Sequence, residues 1–242
     1  MLKQTVSSAG APLSVTNMTA GGIGAPVSVA VDSNGTAWVA NFNGNSVSAL
    51  TTAGVAVSGS PFTGNSNITV PTAVAVGPTG AIYVTSGSGS VVNLTNAGAY
   101  SSSLSDGTLQ GPVGLAVDPA SHVLATGFTT GTAVGGALSE FTTLSGVITG
   151  SPFTSGLTTP GGVASDGTSI WVVNATTAGV LTQFAYGATA PTGSYGSLSS
   201  PVSVAIDNSG SVWTTNSKSN TVSKFIGLAV PVTTPLAANV GP

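Results

Sequence analysis

The sequence predicts an all-β chain folded as a β-propeller of four-stranded antiparallel blades. Three observations predict it. One phrase recurs five times, at spacings of 45, 41, 48 and 41 residues, the period of a propeller blade. Each copy alternates with period two, as a strand does. Each also carries a tight turn and, eleven or twelve residues after its proline, a large side chain. The copies begin at Pro26 (PVSVAVDSNGTAWVAN), Pro71 (PTAVAVGPTGAIYVTS), Pro112 (PVGLAVDPASHVLATG), Pro160 (PGGVASDGTSIWVVN) and Pro201 (PVSVAIDNSGSVWTTN).

The first copy shows the logic of the elements. Val27, Val29 and Val31 alternate with Ser28 and Ala30 and predict a strand. Asp32-Ser33-Asn34-Gly35 turns the chain, with Asp opening the turn and Gly taking the left-handed position that closes a hairpin. Ala37, Trp38 and Val39 make the second strand, Val47 to Leu50 the third, and Val55 to Phe62 the fourth. A parallel β-helix of two coils per repeat would share the period. The hairpin turn recurs only once per repeat, however, and the four segments differ, which favours the propeller.

Both faces of a blade pack on neighbouring blades, so its strands read as small and apolar on both sides. Trp38, Tyr83, Trp171 and Trp213 share one repeat position, with Leu124 in the third copy, and are expected to plug the gaps between blades. Asp32, Asp118, Asp166 and Asp207 share another, while the second copy has Gly77. These aspartates are weak candidates for a ring of oxygen ligands to a cation such as Ca²⁺. The simpler expectation is that each holds its own turn.

The first and third repeats are the long ones, and both end in Gly-Ser-Pro-Phe-Thr (59–63 and 150–154). This is the mark of a duplicated two-blade unit. The expected organisation is a single propeller domain over residues 1–242, with repeats at 23–67, 68–108, 109–156, 157–197 and 198–242. Residues 1–22 read as a half-blade, in which Val6, Leu13 and Val15 form an unmatched apolar edge. That half-blade belongs to a longer propeller, or joins the last blade of its own chain, or completes a blade in a second molecule.

Composition excludes several partners. Of 242 residues three are Lys or Arg and six are Asp or Glu, for a net charge of −3. Phosphate neutralisation and binding to anionic lipid both need more basic residues, so neither nucleic acid nor a membrane surface is an expected partner. No apolar run reaches the length of a spanning helix. A transmembrane barrel would need strands of about ten residues and aromatic girdles, which are lacking. There is no cysteine, hence neither disulfide nor thiolate chemistry. The segment MLKQTVSSAG lacks a hydrophobic signal core and predicts a mature form or an excised piece. Scarcity of charge with abundant Ser and Thr predicts a secreted or cell-surface protein.

The phrase P-V-S-V-A-V-D-x-x-G-x-x-W-V-A-N-x-x-x-N-S-V resembles the NHL-type repeats of six-bladed propellers, and among them the relatives of streptogramin (virginiamycin B) lyase. The resemblance covers about residues 20–230 and implies a six-bladed family type. It also implies, for an active lyase, a metal-assisted elimination with more than one histidine and nearby acids. This chain has one histidine, His122, and one glutamate, Glu140. No orienting partner for His122 is evident from the sequence. The expectation is therefore no catalytic residue, no cofactor and no enzymatic activity. The expected role is an extracellular or surface scaffold binding protein, copies of itself or glycan, and self-assembling through the half-blade. The alternatives are a lyase-type enzyme and a carbohydrate-binding propeller using Tyr100, Tyr186 and Tyr195.

Overall fold

The computed structural model describes residues 17–129, 135–142, 146–148, 151–175 and 178–231. They form five antiparallel sheets, each a simple meander in chain order. The first sheet contains β1 (Pro26–Val31), β2 (Ala37–Asn41) and β3 (Ser46–Leu50). The second contains β4 (Val74–Val76), β5 (Ile82–Ser86), β6 (Ser90–Leu94) and β7 (Tyr100–Leu104). The third contains β8 (Leu109–Val117), β9 (His122–Thr129), β10 (Gly136–Thr142) and β11 (Gly146–Val147). The fourth contains β12 (Pro160–Ser165), β13 (Ser169–Asn174), β14 (Gly179–Ala185) and β15 (Gly193–Leu198). The fifth contains β16 (Pro201–Ile206), β17 (Val212–Asn216) and β18 (Thr221–Phe225). The architecture is a β-propeller. Residues Val6, Leu13 and Val15 of the expected half-blade lie outside the described residues.

Register explains the recurring phrase. Its alanine faces the large side chain across the first hairpin in every sheet: Ala30 opposite Trp38, Ala75 opposite Tyr83, Ala116 opposite Leu124, Ala164 opposite Trp171 and Ala205 opposite Trp213. Directly opposed Cβ atoms are only about 5 Å apart, so a small residue there lets the ring lie flat over the sheet.

The core lies between sheets, because successive residues of a strand point to opposite faces. In β13, Ile170 and Val172 join Leu124, Leu138 and Phe184 between the third and fourth sheets. Trp171 and Val173 join Leu181, Val204 and Ile206 between the fourth and fifth. Trp38 packs in the same way on Ile82 and Val84 of the second sheet, and Tyr83 on Val123 and Phe141 of the third. Trp213 departs from the inter-blade role expected of it. It is 37% exposed, because no sheet of the described residues covers that face.

The fourth segment of the first sheet is not the regular strand expected over Val55 to Phe62. It pairs through isolated bridges, Val47 with Phe62 and Leu50 with Ala56. Phe153 meets Leu138 in the same manner in the third sheet. Pro61 and Pro152 have no N–H to give to a ladder, so Gly-Ser-Pro-Phe-Thr interrupts both. The two phenylalanines make matching reciprocal backbone pairs, at 2.8 Å with Val47 and at 2.8 and 2.9 Å with Leu138.

Candidate functional site at the turn of the third sheet

In the blades that carry tryptophan, the repeated aspartate closes its own turn. One oxygen takes two backbone N–H groups, and the other takes the indole N–H. Asp32 Oδ1 accepts from the amides of Asn34 and Thr36, both at 2.9 Å, and its Oδ2 from Trp38 Nε1 at 3.1 Å. Asp207 repeats this with Ser209, Ser211 and Trp213 Nε1, the last at 2.8 Å. Asp166 does so with Thr168 and Ser169, and its Oδ2 receives Trp171 Nε1 at 3.4 Å and the amide of Val230 at 3.0 Å. The four aspartates thus serve four separate turns and do not form a ring of ligands.

The second sheet omits both members of the pair. Its residue at the aspartate position is Gly77, and a Cβ there would stand 3.0 Å from the Tyr83 ring. Tyrosine has no indole N–H to satisfy, so the carboxylate is dispensable and its place goes to the ring.

The third sheet keeps the aspartate and loses the indole. Leu124 stands where tryptophan would, and Asp118 Oδ2 is released from that bond. It lies instead 2.7 Å from His122 Nδ1 and accepts a hydrogen bond from the Tyr186 hydroxyl, 68 residues along the chain. Asp118 Oδ1 accepts the amide N–H of His122 at 2.8 Å. The Asp118 side chain is fully buried, and that of His122 is 24% exposed. The Tyr186 ring packs on the imidazole with centroids 4.5 Å apart, and its hydroxyl also contacts Ser165 Oγ. Burial and the bond to Asp118 push the Tyr186 hydroxyl far above its ordinary value.

The same turn carries a third departure. Ser121 has φ +70°, whereas Gly35, Gly80, Gly167 and Gly210 fill the positive-φ position in the other turns. A side chain in the left-handed region costs about 1–2 kcal/mol. Strain of this kind is held at functional sites, and here it coincides with the histidine and the freed carboxylate.

Glu140, in β10, completes the surroundings. Its side chain is buried; Oε2 accepts the amide of Gly187 at 3.1 Å and Oε1 has no partner among the described residues. Burial raises its carboxyl above the ordinary value, against the lowering effects of the Gly187 N–H and of His122. Sequence reasoning named His122 and Glu140 but missed that Asp118 orients the imidazole and that Tyr186 closes the group. The signal was present in the Asp-x-x-x-His spacing and in the single leucine among aromatics.

The arrangement suits proton transfer rather than metal binding. Among the described residues no three His, Cys, Asp or Glu side chains come together to hold a metal ion, and His122 Nδ1 is committed to Asp118. The metal implied by the lyase resemblance does not fit this donor set. Two of the three tyrosines of the carbohydrate-binding alternative are engaged internally, Tyr186 as above and Tyr195 through Gln183 Oε1 at 2.7 Å and the ring of Trp171. A groove of about 340 Å³ between the first two sheets, lined by Pro61, Phe62 and Tyr100 among others, offers no carboxylate or imidazole.

No family model matches the sequence, and no curated protein does. Solved structures do match the fold. A streptogramin B lyase structure aligns with a TM-score of 0.64 at 13% identity, covering 87% of this chain and 70% of that one. The selenomethionine-substituted virginiamycin B lyase from Staphylococcus aureus aligns at 0.61 and 13%, covering 83% and 69%. These neighbours overturn the expectation of a non-enzyme, since the propellers that this chain is similar to are lyases. The expectation had rested on the want of a partner for His122, and Asp118 is that partner. In fold, the chain is a β-propeller like those of the streptogramin B lyases.

Proposed function

We propose that this propeller is a lyase-type enzyme in which His122 acts as general base. The observation that carries the reading is the Asp118 carboxylate, freed from its indole and placed 2.7 Å from His122 Nδ1. With Nδ1–H given to Asp118, the lone pair of the imidazole is on Nε2, and the ring reaches solvent on one side. That is the tautomer a base requires. In an elimination, Nε2 takes a proton from carbon, the C–H pair becomes the new double bond, and the leaving group departs with its bonding electrons. The imidazolium so formed is stabilised by the buried Asp118, which the Tyr186 hydroxyl fixes in place.

The likeness to lyases supports the reaction class, and a streptogramin B is the first substrate to assay. The expected result is turnover by the wild-type chain, followed chromatographically, and a loss of about 10²–10⁴-fold in His122→Asn, the usual contribution of a positioned base. Undiminished turnover in His122→Asn sinks the assignment of the base. No consumption by the wild type sinks the assignment of the substrate.

A further inference from the structure

The fifth sheet leaves bare the face that every preceding sheet buries against its successor. Trp38, Tyr83, Leu124 and Trp171 are buried, whereas Trp213 at the same register is 37% exposed. Val222, opposite Thr215 on that face, is exposed as well. The first sheet shows the converse. Val29 occupies the position of Val74, Val163 and Val204, which are buried against the preceding sheet, yet Val29 is 63% exposed. The chain therefore ends in two faces that are halves of one recurring contact.

We propose that the Trp213 face of one copy docks on the Val29 face of a second copy, joining the chains head to tail. The residue types match a junction already present. Between the fourth and fifth sheets, Trp171 and Val173 meet Val204 and Ile206. Across the proposed contact Trp213 and Thr215 meet Val29 and Val31. Within one chain, the only described inner strand left without a preceding sheet is β1, at the far end from Trp213, so the complementary half is offered by another copy. Charge does not oppose the union. The net charge is −3, and the lysine on the face, Lys224, lies over the Trp213 ring at 4.6 Å and pairs with Asp207 at 3.8 Å. The contact is heterologous. Two copies closed into a flat ring would hold ten sheets, twice the five of one chain. Propellers typically hold 4–8, so association runs on into an open array.

The test is the mass in solution of the full chain, of Trp213→Asp and of Val29→Asp, each alone and mixed in equal amounts. Val222→Lys serves as a second variant of the Trp213 face should the first fail to fold. The expected result is wild-type mass rising with concentration, and each variant remaining a single chain at concentrations at least tenfold higher. The mixture then yields pairs and nothing larger, because Val29→Asp supplies the intact Trp213 face and Trp213→Asp the intact Val29 face. A wild type at single-chain mass throughout overturns the proposal. In that case acrylamide quenching separates a Trp213 covered by the chain's own terminal segments, which is shielded, from a bare one. Association of either variant alone to the wild-type extent, or a mixture that never pairs, overturns it too.

Discussion

Asp118 and His122 are joined twice, once through the backbone N–H and once through the imidazole, and the second bond exists because Leu124 has taken the place of an indole donor. The same aspartate in three other sheets spends that oxygen on tryptophan. One substitution in a repeat thus turns a structural carboxylate into a partner for a titratable ring. The propeller itself needs no change, since leucine still fills the gap between the third and fourth sheets.

Asp118→Asn should separate orientation from folding. The amide keeps the shape of the turn but removes the charge that holds Nδ1–H and stabilises the imidazolium. Turnover should fall by about 10²-fold or more, while circular dichroism stays that of a β-protein. Tyr186→Phe removes one hydrogen bond to the carboxylate, which is worth about 1.5–3 kcal/mol. It should lower the melting temperature by several degrees with a smaller loss of turnover. If Tyr186→Phe abolishes turnover while Asp118→Asn does not, the roles assigned to these residues are wrong.

Ser121→Gly should stabilise the fold by about 1 kcal/mol, because glycine adopts φ +70° without the Cβ penalty. Chemical denaturation of the two proteins side by side reads this directly. A destabilised Ser121→Gly would mean that the serine is held by contacts that outweigh its strain.

The aspartates should differ in their value to the fold. Asp32→Ala strips a buried turn of two backbone acceptors and leaves the Trp38 indole N–H unpaired in the core, a loss of about 2–4 kcal/mol. Asp207→Ala makes the same deletion beside an exposed Trp213, where water replaces the lost acceptor, and should cost distinctly less. Equal shifts in melting temperature would contradict the exposure of the fifth sheet.

Much of the fold is legible in the sequence because the repeat encodes register as well as strands. Alanine opposite the ring, aspartate before the turn and glycine at its end are local features that report a hairpin directly. The ladders broken at Pro61 and Pro152 were harder to foresee, since a Val- and Phe-containing segment reads as a strand until its missing donor is weighed. The site was half legible. Asp118 and His122 are four residues apart, but Tyr186 arrives from the next sheet, and only the packing of the fourth sheet on the third brings it there. Reading all four aspartates together as metal candidates obscured the one that differs.

Stability should pass through a maximum in the weakly acidic range. Burial raises the Asp106 carboxyl, but hydrogen bonds from Ser139, Thr108 and Leu109 outweigh it and hold the group below its ordinary 3.8. Asp166 behaves alike through Val230, Ser169 and Thr168. A depressed folded value means that the stabilisation is present above pH 3.8 and is lost as pH falls through the folded value. Glu140 has the opposite sign. Its folded value lies above the ordinary 4.5, so the unfolded chain ionises first and stability declines as pH rises from 4.5 through the folded value. Thermal melts of Glu140→Gln should lose that decline and keep the acid limb. An unchanged pH profile would remove Glu140 from the account.

The Gly77–Tyr83 exchange makes the sharpest prediction about the repeat. Gly77→Asp alone forces a side chain into a place where even a Cβ stands 3.0 Å from the Tyr83 ring, and the new carboxylate finds no indole N–H. It should destabilise by about 1–3 kcal/mol, as overpacking does. Tyr83→Trp alone enlarges a ring already buried between the second and third sheets and leaves its N–H unpaired, so it too should destabilise. Together they rebuild the Asp–Trp pair of the first, fourth and fifth sheets. The double variant should therefore be more stable than the sum of the single effects implies, by a coupling of about 0.5–3 kcal/mol. Additive losses would mean that aspartate and tryptophan recur in these turns for separate reasons. Favourable coupling would mean that the indole bond is the unit the repeat preserves, and that its absence at Asp118 is what frees a carboxylate for His122.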